Sequence, residues 1–352
     1  MSKSTSQSTR RGVSAGPGAS QGAGQSPGQS AGQSPGSGES GDASLTLPFL
    51  VMLITPLFFS SNLIFGRLAI PEVAPFTLAF LRWTGAALFL APWVYAARKP
   101  ARAYLRAHTG HWLLLGFLGM WICGAIVYLA LQTTTATNGT LIYTTSPLII
   151  LLIERLFYGR PISWREFLGI LIGFSGVAII VLRGDVNVLL ALDFNRGDLL
   201  LFGAAISWAA YSVLLRRRSD PGAGPSLGTL AQFGLNAIAG IILLAPFALW
   251  EFLTGARMPV TATAWSGIGG IILFASLLSF SGFQYGIARL GAATAGVFMY
   301  LMPPYGVALA VFLLGETFER YHAIGIATVL AGLVLATFRR PYTRRQAAGS
   351  AV

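Results

Sequence analysis

Charged side chains are rare inside the long apolar runs of this chain, and each of them needs a physical reason. Arg82 lies about eight residues into an apolar run, and Glu154 lies four residues before the end of another, beside Arg155. Arg82 is a candidate for meeting a substrate carboxylate, with a structural cation that snorkels outward or is capped by backbone carbonyls as the alternative. Glu154 is a candidate for proton coupling, because an acid in apolar surroundings can hold or release a proton. The alternative for Glu154 is an interfacial acid near arginines.

Polar and aromatic side chains near the middle of the apolar runs form a second set of candidates. Indole and phenol rings normally collect at the membrane interfaces. Rings near mid-depth therefore indicate either internal packing or a pocket in which a substrate stacks. Together with Arg82, the candidate substrate-binding residues are Asn62, Trp121, Tyr128, Tyr143, Trp208, Tyr211, Gln284 and Tyr300.

Two prolines and two acids are candidates for gating or coupling. Pro147 and Pro303 interrupt the hydrogen-bond ladder of their helices, which frees carbonyl groups to line a cavity or forms a hinge. Glu316 follows Gly315 at the end of an apolar run. There a gating role competes with ordinary hydrogen bonding at a helix end. Glu154 completes this set.

The sequence lacks the patterns of common enzyme and metal sites. The three histidines lie at the ends of apolar runs, and a chain with one cysteine, Cys123, cannot build a disulfide scaffold or a cysteine metal cluster. No GxxxxGKS/T phosphate loop is present, so ATP hydrolysis is not expected. We predict no enzyme activity, no metal and no cofactor. Active transport would then use an ion gradient rather than an ATPase subunit.

Helices that span a membrane must position these residues. Of the 352 residues, 54% are hydrophobic and 10% charged, against about 25% charged in soluble domains. A bilayer core needs about 20 apolar residues per helix, and these runs do not alternate as the strands of a membrane barrel do. We predict an all-α membrane protein with ten spans, numbered here in chain order: 47–68, 75–96, 111–132, 137–158, 164–183, 198–215, 227–252, 264–287, 292–313 and 321–338.

The positive charges predict the orientation of the spans. Of the 24 Lys and Arg residues, 18 fall on the side of the N-terminus and 5 on the other side, while Arg82 lies within a span. Cytoplasmic loops are enriched in Lys and Arg. We therefore expect both termini in the cytoplasm and the spans in the inner (cytoplasmic) membrane. This clustering between apolar runs also argues against nucleic acid as the partner of a chain with net charge +12.

The chain divides into two tails and two repeats. Residues 1–44 are rich in Gly, Ser and Gln and contain no Leu, Ile, Phe, Trp or Tyr, which predicts a disordered tail. Residues 341–352 form a short basic tail. Between them we predict two five-helix repeats, 45–185 and 196–340.

An internal similarity supports these repeats. Residues 136–183 align without a gap on 292–339, and the identities include a proline and three glycines, residues that fix backbone geometry. Chance similarity between apolar helices is the alternative. An odd number of helices per repeat predicts that the second repeat enters the membrane from the opposite face, as in many secondary transporters.

Four stretches resemble the EamA family of the drug/metabolite transporter superfamily: PLFFSSNLIFGRLA, FTLAFLRWTGAALFLAP, ATNGTLIYTTSPL and MPPYGVALAVFLLGETFERYHAIGIATVLAGLVL. The resemblance covers about residues 47–340. It implies a ten-helix transporter, commonly an exporter of amino acids or other small metabolites. It also implies a cavity lined mainly by the first, third, fourth, sixth, eighth and ninth spans. The family usually carries Gly-Glu at the end of the fourth helix, whereas this chain has Gly159-Arg160.

These observations predict a secondary transporter. It would export a small organic metabolite, such as an amino acid, by alternating access around a midplane cavity between inverted repeats. One alternative is a lipid-linked metabolite flippase, which needs a lateral opening to the bilayer. The other is an intramembrane enzyme, which needs paired titratable groups. Substrate identity, direction, coupling ion and oligomeric state stay open; the expected partners are a small molecule and the lipid bilayer.

Overall fold

The computed structural model describes residues 40–192, 195–218, 227–315 and 317–337. Within them, ten helices are long and apolar enough to cross a membrane, which confirms the predicted all-α membrane fold. The first span belongs to a helix over Ser40–Ala69. The ten spans are Thr46–Gly66, Pro75–Ala96, Arg98–Ala130, Asn138–Tyr158, Trp164–Val181, Arg196–Arg217, Thr229–Leu253, Ala262–Leu290, Ala292–Phe312 and Arg320–Thr337.

The third span differs most from its predicted bounds. It begins at Arg98 rather than near residue 111, and its helix is broken at His108, where φ is −137° and ψ is 35°. The basic segment before the break buries Ala101 and Tyr104. The apolar residues of an amphipathic helix lie on one face, so its average hydrophobicity is low. For this reason the segment is not part of a continuous hydrophobic run in the sequence. Elsewhere, a short helix over Val186–Leu190 lies in the fifth-to-sixth connection.

Four of the spans depart from regular α-helix. The fourth comprises Ala136–Tyr143 and Ser146–Tyr158, and the ninth passes through a 3₁₀ turn before resuming at Met302. Pro147 and Pro303 are the second residues of the resumed segments. The missing N–H of proline breaks no helical bond there, so the two prolines do not interrupt a hydrogen-bond ladder as the sequence suggested. The third and eighth spans contain π-helix over Phe117–Ile126 and Ile271–Leu278. Such segments are frequent at functional sites.

The fifth and tenth spans pack with their backbones in direct contact. A Cβ on Gly176 would lie 2.8 Å from the Gly325 carbonyl oxygen, and one on Gly332 would lie 2.6 Å from that of Gly169. Small residues allow this close approach in membranes. Contacts shift toward the start of the tenth span as they advance along the fifth, so the two helices are antiparallel.

The second and seventh spans also pack antiparallel, and a carboxylate fixes their register. Phe76 stacks on Phe247, while Gly234 lies against Leu90 near the other end. The buried Glu251 carboxylate accepts hydrogen bonds from the backbone N–H groups of Phe76 (3.1 Å) and Thr77 (2.7 Å). An acid at a helix N-terminus satisfies free N–H groups and opposes the helix dipole. This contact anchors the second span, which carries Arg82.

Candidate functional site

A cavity of about 580 Å³ lies inside the bundle. Its volume falls in the range of roughly 300–1,000 Å³ that small-molecule sites occupy. Residues of the first, second, third, fourth, sixth, eighth and ninth spans line it. It extends from Ile150 and Gly296 to Ile70, Pro71 and Leu131, where the first and third spans end. The family resemblance predicted a lining from six of these spans. The second span, which contributes Arg82, lines the cavity in addition.

Arg82 lies in the wall of this cavity and is 5% exposed. Its Nε donates to Ser276 Oγ (2.7 Å), its Nη2 donates to the Ala275 carbonyl oxygen (2.7 Å), and its Nη1 donates to Tyr128 Oη (3.1 Å). The guanidinium also lies 4.6 Å from the centre of the Trp83 ring, a cation–π distance. These contacts hold the cation in one place between the second, third and eighth spans.

The acceptors of Arg82 depend on neighbouring elements. Ser276 and Ala275 belong to the π-helical segment of the eighth span, and Ser276 Oγ in turn donates to the Ile271 carbonyl oxygen five residues earlier (2.9 Å). Tyr128 Oη lies 3.4 Å from Asn62 Oδ1 and donates toward it. A network therefore runs from the first span through Tyr128 to Arg82, and each member except the cation is neutral.

The opposite wall comes from the interrupted fourth and ninth spans. Tyr143, Tyr300, Pro147 and Pro303 line the cavity there. Several hydroxyl groups in the wall donate to carbonyl groups of their own helix, as Thr144 Oγ1 does to Leu141 at 2.9 Å. Because these hydroxyl groups form hydrogen bonds with the backbone, the surface of the wall is largely apolar.

Aromatic rings form a floor between the cavity and the rest of the bundle. Trp208, Phe59 and Phe280 line the cavity, and Trp208 stacks on Phe283 with 4.7 Å between ring centres. Trp208 also contacts Phe280 edge-on at 5.5 Å. We call Phe59, Trp208, Phe280 and Phe283 the aromatic floor.

Six of the nine predicted substrate-binding residues line the cavity. They are Asn62, Arg82, Tyr128, Tyr143, Trp208 and Tyr300. The structure places Trp121 in a separate cluster with Phe76, Phe117 and Phe247. Tyr211 and Gln284 are buried outside the cavity wall.

The candidates for gating fall in three places. Pro147 and Pro303 line the cavity. Glu154 lies outside it, and Arg160 Nη1 contacts its carboxylate at 2.8 Å while Nη2 contacts Glu166 at 2.8 Å. Burial opposes the charge on Arg160, but the two carboxylates outweigh it and hold its pKa above the ordinary value. Glu316 lies outside the described residues.

The sequence interpretation missed two structural acids. Glu251 caps the second span, and buried Asp198 joins the sixth span to the fourth span and to the connection before it, by accepting from Asn138 Nδ2 (3.0 Å) and the hydroxyl of Thr134. Asp198 lies two residues after Arg196, at the start of the sixth span. An acid in the first turn of a helix is a detectable capping signal, but its partners on other spans are visible only in the fold.

Ten spans around a substrate-sized cavity are the architecture of a polytopic membrane transporter. The profile of the EamA-like transporter family matches the chain twice, at residues 46–182 and 195–338. The chain belongs to this family.

Similar proteins carry transporter names. An uncharacterized transporter of Archaeoglobus fulgidus is 28% identical, with 83% of this chain and 97% of that protein covered. The uncharacterized transporter YyaM of Bacillus subtilis is 25% identical over 67% of this chain and 75% of its own length. A probable terminal-alkyne amino-acid exporter of Streptantibioticus cattleyicolor is also 25% identical, over 64% and 75%. One solved crystal structure shares the fold with a TM-score of 0.65 and 20% identity, covering 83% of this chain and 97% of that one.

Proposed function

We propose that this protein is a secondary transporter that exports a small organic metabolite, such as an amino acid, by alternating access. The observation that carries the proposal is the cavity: it joins Arg82, Tyr128 and Tyr143 and reaches one end of the bundle. The aromatic floor limits it on the other side. The probable exporter in Streptantibioticus cattleyicolor supports the substrate class and the direction.

Inverted repeats would supply the two conformations. Three features support this part of the proposal: the family profile matches twice, the fifth and tenth spans are antiparallel, and so are the second and seventh. Gly169 meets Gly332 while Gly176 meets Gly325. Given the alignment of 136–183 on 292–339, these two contacts are exchanged by the repeat, as a pseudo-two-fold axis requires.

For the cavity to open to the other side of the membrane, the spans must separate at its closed end, where Arg160 contacts Glu154 and Glu166. In the proposed cycle the halves rock about the cavity, the aromatic floor separates, and the contacts of Arg160 with Glu154 and Glu166 rearrange. The interruptions at Pro147 and Pro303 serve as hinges in the cavity wall. Substrate drives this change only through its differential affinity for the two states.

Transport in proteoliposomes tests the proposal. We expect saturable counterflow of radiolabelled amino acids or related organic acids, measured with and without a pH gradient. Saturable flux that is insensitive to the gradient indicates facilitated diffusion, and gradient-driven accumulation indicates proton coupling. Absence of saturable flux across a broad metabolite panel overturns the proposal.

Thiol labelling connects flux to the cavity. In a Cys123→Ala background, Thr144→Cys places a thiol in the cavity wall, and Leu88→Cys, at a side chain 71% exposed outside it, is the matched control. We expect a methanethiosulfonate reagent to block transport only in the Thr144→Cys protein, with protection by substrate. Equal inhibition of both proteins, or of neither, contradicts transport through this cavity.

A further inference from the structure

We infer that the transported metabolite is an organic carboxylate with an apolar or aromatic body, and that its carboxylate pairs with Arg82. The inference rests on the proposed transport function and specifies its substrate class. It follows from the buried charge of Arg82, which no acidic side chain in the described part of the chain balances, and from the chemistry of the surrounding cavity wall.

Arg82 is a buried cation whose described partners are all neutral. It donates to a serine hydroxyl, a backbone carbonyl and a tyrosine hydroxyl. An arginine has five N–H groups in a planar fork suited to a carboxylate. Three of them are used by these contacts, and the other two make no hydrogen bond to the described residues.

The charge of Arg82 is not matched by an acid in the described part of the chain. Seven acidic side chains are described; none lines the cavity, and the hydrogen bonds and ion pairs of each are made with groups other than Arg82. They are Glu72, Glu154, Glu166, Asp185, Asp198, Glu251 and Glu319. A charge in a low-dielectric membrane interior is costly until an opposite charge joins it. A ligand carboxylate supplies that opposite charge, so the cavity favours an anion over a neutral molecule or a cation.

The rest of the wall selects the body of the ligand. Phe59, Trp208, Phe280, Met299 and Ile150 present rings and aliphatic groups to the cavity. Apolar and aromatic surfaces bind apolar bodies through burial and ring stacking. Arg82 is the one charged side chain among the described lining residues, so the site balances one negative charge and not several. Organic monoacids meet both conditions. An apolar amino acid meets them with its carboxylate and side chain, while its ammonium group needs hydroxyl or carbonyl acceptors in the wall.

Matched ligand triplets test this inference on the unmodified protein. On phenyl, indole and branched-alkyl bodies, we compare the carboxylic acid, its primary amide and the corresponding amine, for example 3-phenylpropionate, 3-phenylpropanamide and 2-phenylethylamine. L-phenylalanine and L-phenylalaninamide form a further pair. Binding is read by thermal stabilisation, because a ligand of the folded state raises its apparent stability, and flux is read by counterflow. We expect each acid to bind at least tenfold more tightly than its amide, and the amines not to bind.

Variants of Arg82 locate the selectivity. Arg82→Gln removes the charge, and we expect it to abolish the preference for the acid over the amide. Arg82→Lys keeps the charge, and we expect it to retain part of that preference. Arg98→Gln, at an exposed arginine outside the cavity wall, is the matched control and should leave the preference unchanged. If Arg82→Gln does not fold, the triplets on the unmodified protein and on Arg82→Lys decide the question.

The outcomes separate this inference from the proposed function. Amides that bind and move as well as the acids, or amines that are preferred, overturn the carboxylate assignment while transport stands. An unchanged preference in a folded Arg82→Gln protein overturns the role of Arg82. Absence of both binding and flux for every triplet contradicts the proposed function itself.

Discussion

Two polar clusters lie at similar places in the two matches to the family profile, but only the first cluster contacts the cavity. Asn62 and Tyr211 each lie 16 residues after the start of a match to the family profile. Tyr128 and Gln284 are separated by 156 residues, the offset of the internal similarity. Arg82 and Asn236 each lie seven residues after the first residue of their spans, Pro75 and Thr229.

The chemistry of the two clusters differs. The first contains a cation and is linked by hydrogen bonds from Asn62 to Ser276. In the second, Tyr211 Oη, Asn236 Nδ2 and both amide atoms of Gln284 are buried and make no well-formed hydrogen bond among the described residues, although the Tyr211 hydroxyl lies beside the side chains of Asn236 and Gln284. Asn236 Oδ1 does accept from Gln232 Nε2 at 3.0 Å.

Trp208 stands between the two environments. It lines the cavity, and its ring also lies 5.7 Å from that of Tyr211. A buried polar group without a partner costs about 1–3 kcal/mol. The hydrogen bonds of the second cluster are therefore less well formed in this conformation than those of the first cluster. In the proposed cycle, the second cluster contacts the cavity and the first cluster does not once the bundle opens toward the other face.

The largest expected effect comes from breaking the contact that joins the halves. Gly176→Ala places a methyl group 2.6 Å from the Val329 backbone nitrogen. Because backbone cannot move aside as a flexible side chain can, we expect a stability loss of about 1–3 kcal/mol, read as a lower Tm in detergent. Gly203→Ala, where a Cβ meets nothing within 4 Å, is the control. Equal Tm values for the two variants would contradict the close packing of the fifth and tenth spans.

A second prediction concerns the closed end, where Arg160 joins two carboxylates. Arg160→Glu restores the acid usual in the family and places three carboxylates together. Breaking these charge pairs while adding like charge should cost about 1–2 kcal/mol, because Arg160 is a quarter exposed and its charge is partly screened. We expect a population shift toward the opposite conformation. It is measured as faster thiol labelling of Val213→Cys, a buried position that lines a small cleft with Glu154 and Arg160, in a Cys123→Ala background. Arg155→Glu, at an exposed neighbour, is the control, and equal labelling rates in both would count against a closing role.

The third prediction concerns the first cluster. Tyr128→Phe removes the hydroxyl that accepts from Arg82 and donates toward Asn62. We expect substrate affinity to fall about tenfold, which is about 1.4 kcal/mol, because the cation is less well oriented. Tyr95→Phe, at an exposed ring outside the cavity, is the control. An unchanged affinity in the Tyr128→Phe protein would remove this hydroxyl from the site.

The smallest effect is expected in the second cluster, and its sign is opposite. Gln284→Met replaces an unsatisfied amide by an apolar group of similar size, so the observed conformation should gain about 1 kcal/mol. We expect a higher Tm together with slower transport, because the opposite conformation becomes relatively less stable. Gln132→Met, at an exposed position, is the control. A lower Tm for Gln284→Met would show that this amide is satisfied.

The sequence predicted the members of the first cluster more accurately than their surroundings. Polar and charged residues deep in apolar runs are visible without a fold, so Arg82, Asn62 and Tyr128 could be selected directly. Neighbouring candidates on the same spans, such as Trp121 and Tyr211, have the same character in sequence but face other packing. The spacing of apolar residues does not show which side of an all-apolar helix faces the protein interior, because lipid and protein interior are both apolar.

The amino-acid sequence by itself determined the ten spans, the family and the depth of the polar residues. These depend on the length of apolar runs and on the cost of a charge in lipid, both of which are local properties. Only the tertiary structure decided that Tyr128 and Tyr143 share a cavity while Tyr211 is sealed behind Trp208, and that Arg160 joins Glu154 to Glu166. Those outcomes depend on helix rotation, on the interruptions in four spans and on contacts between residues distant in the chain.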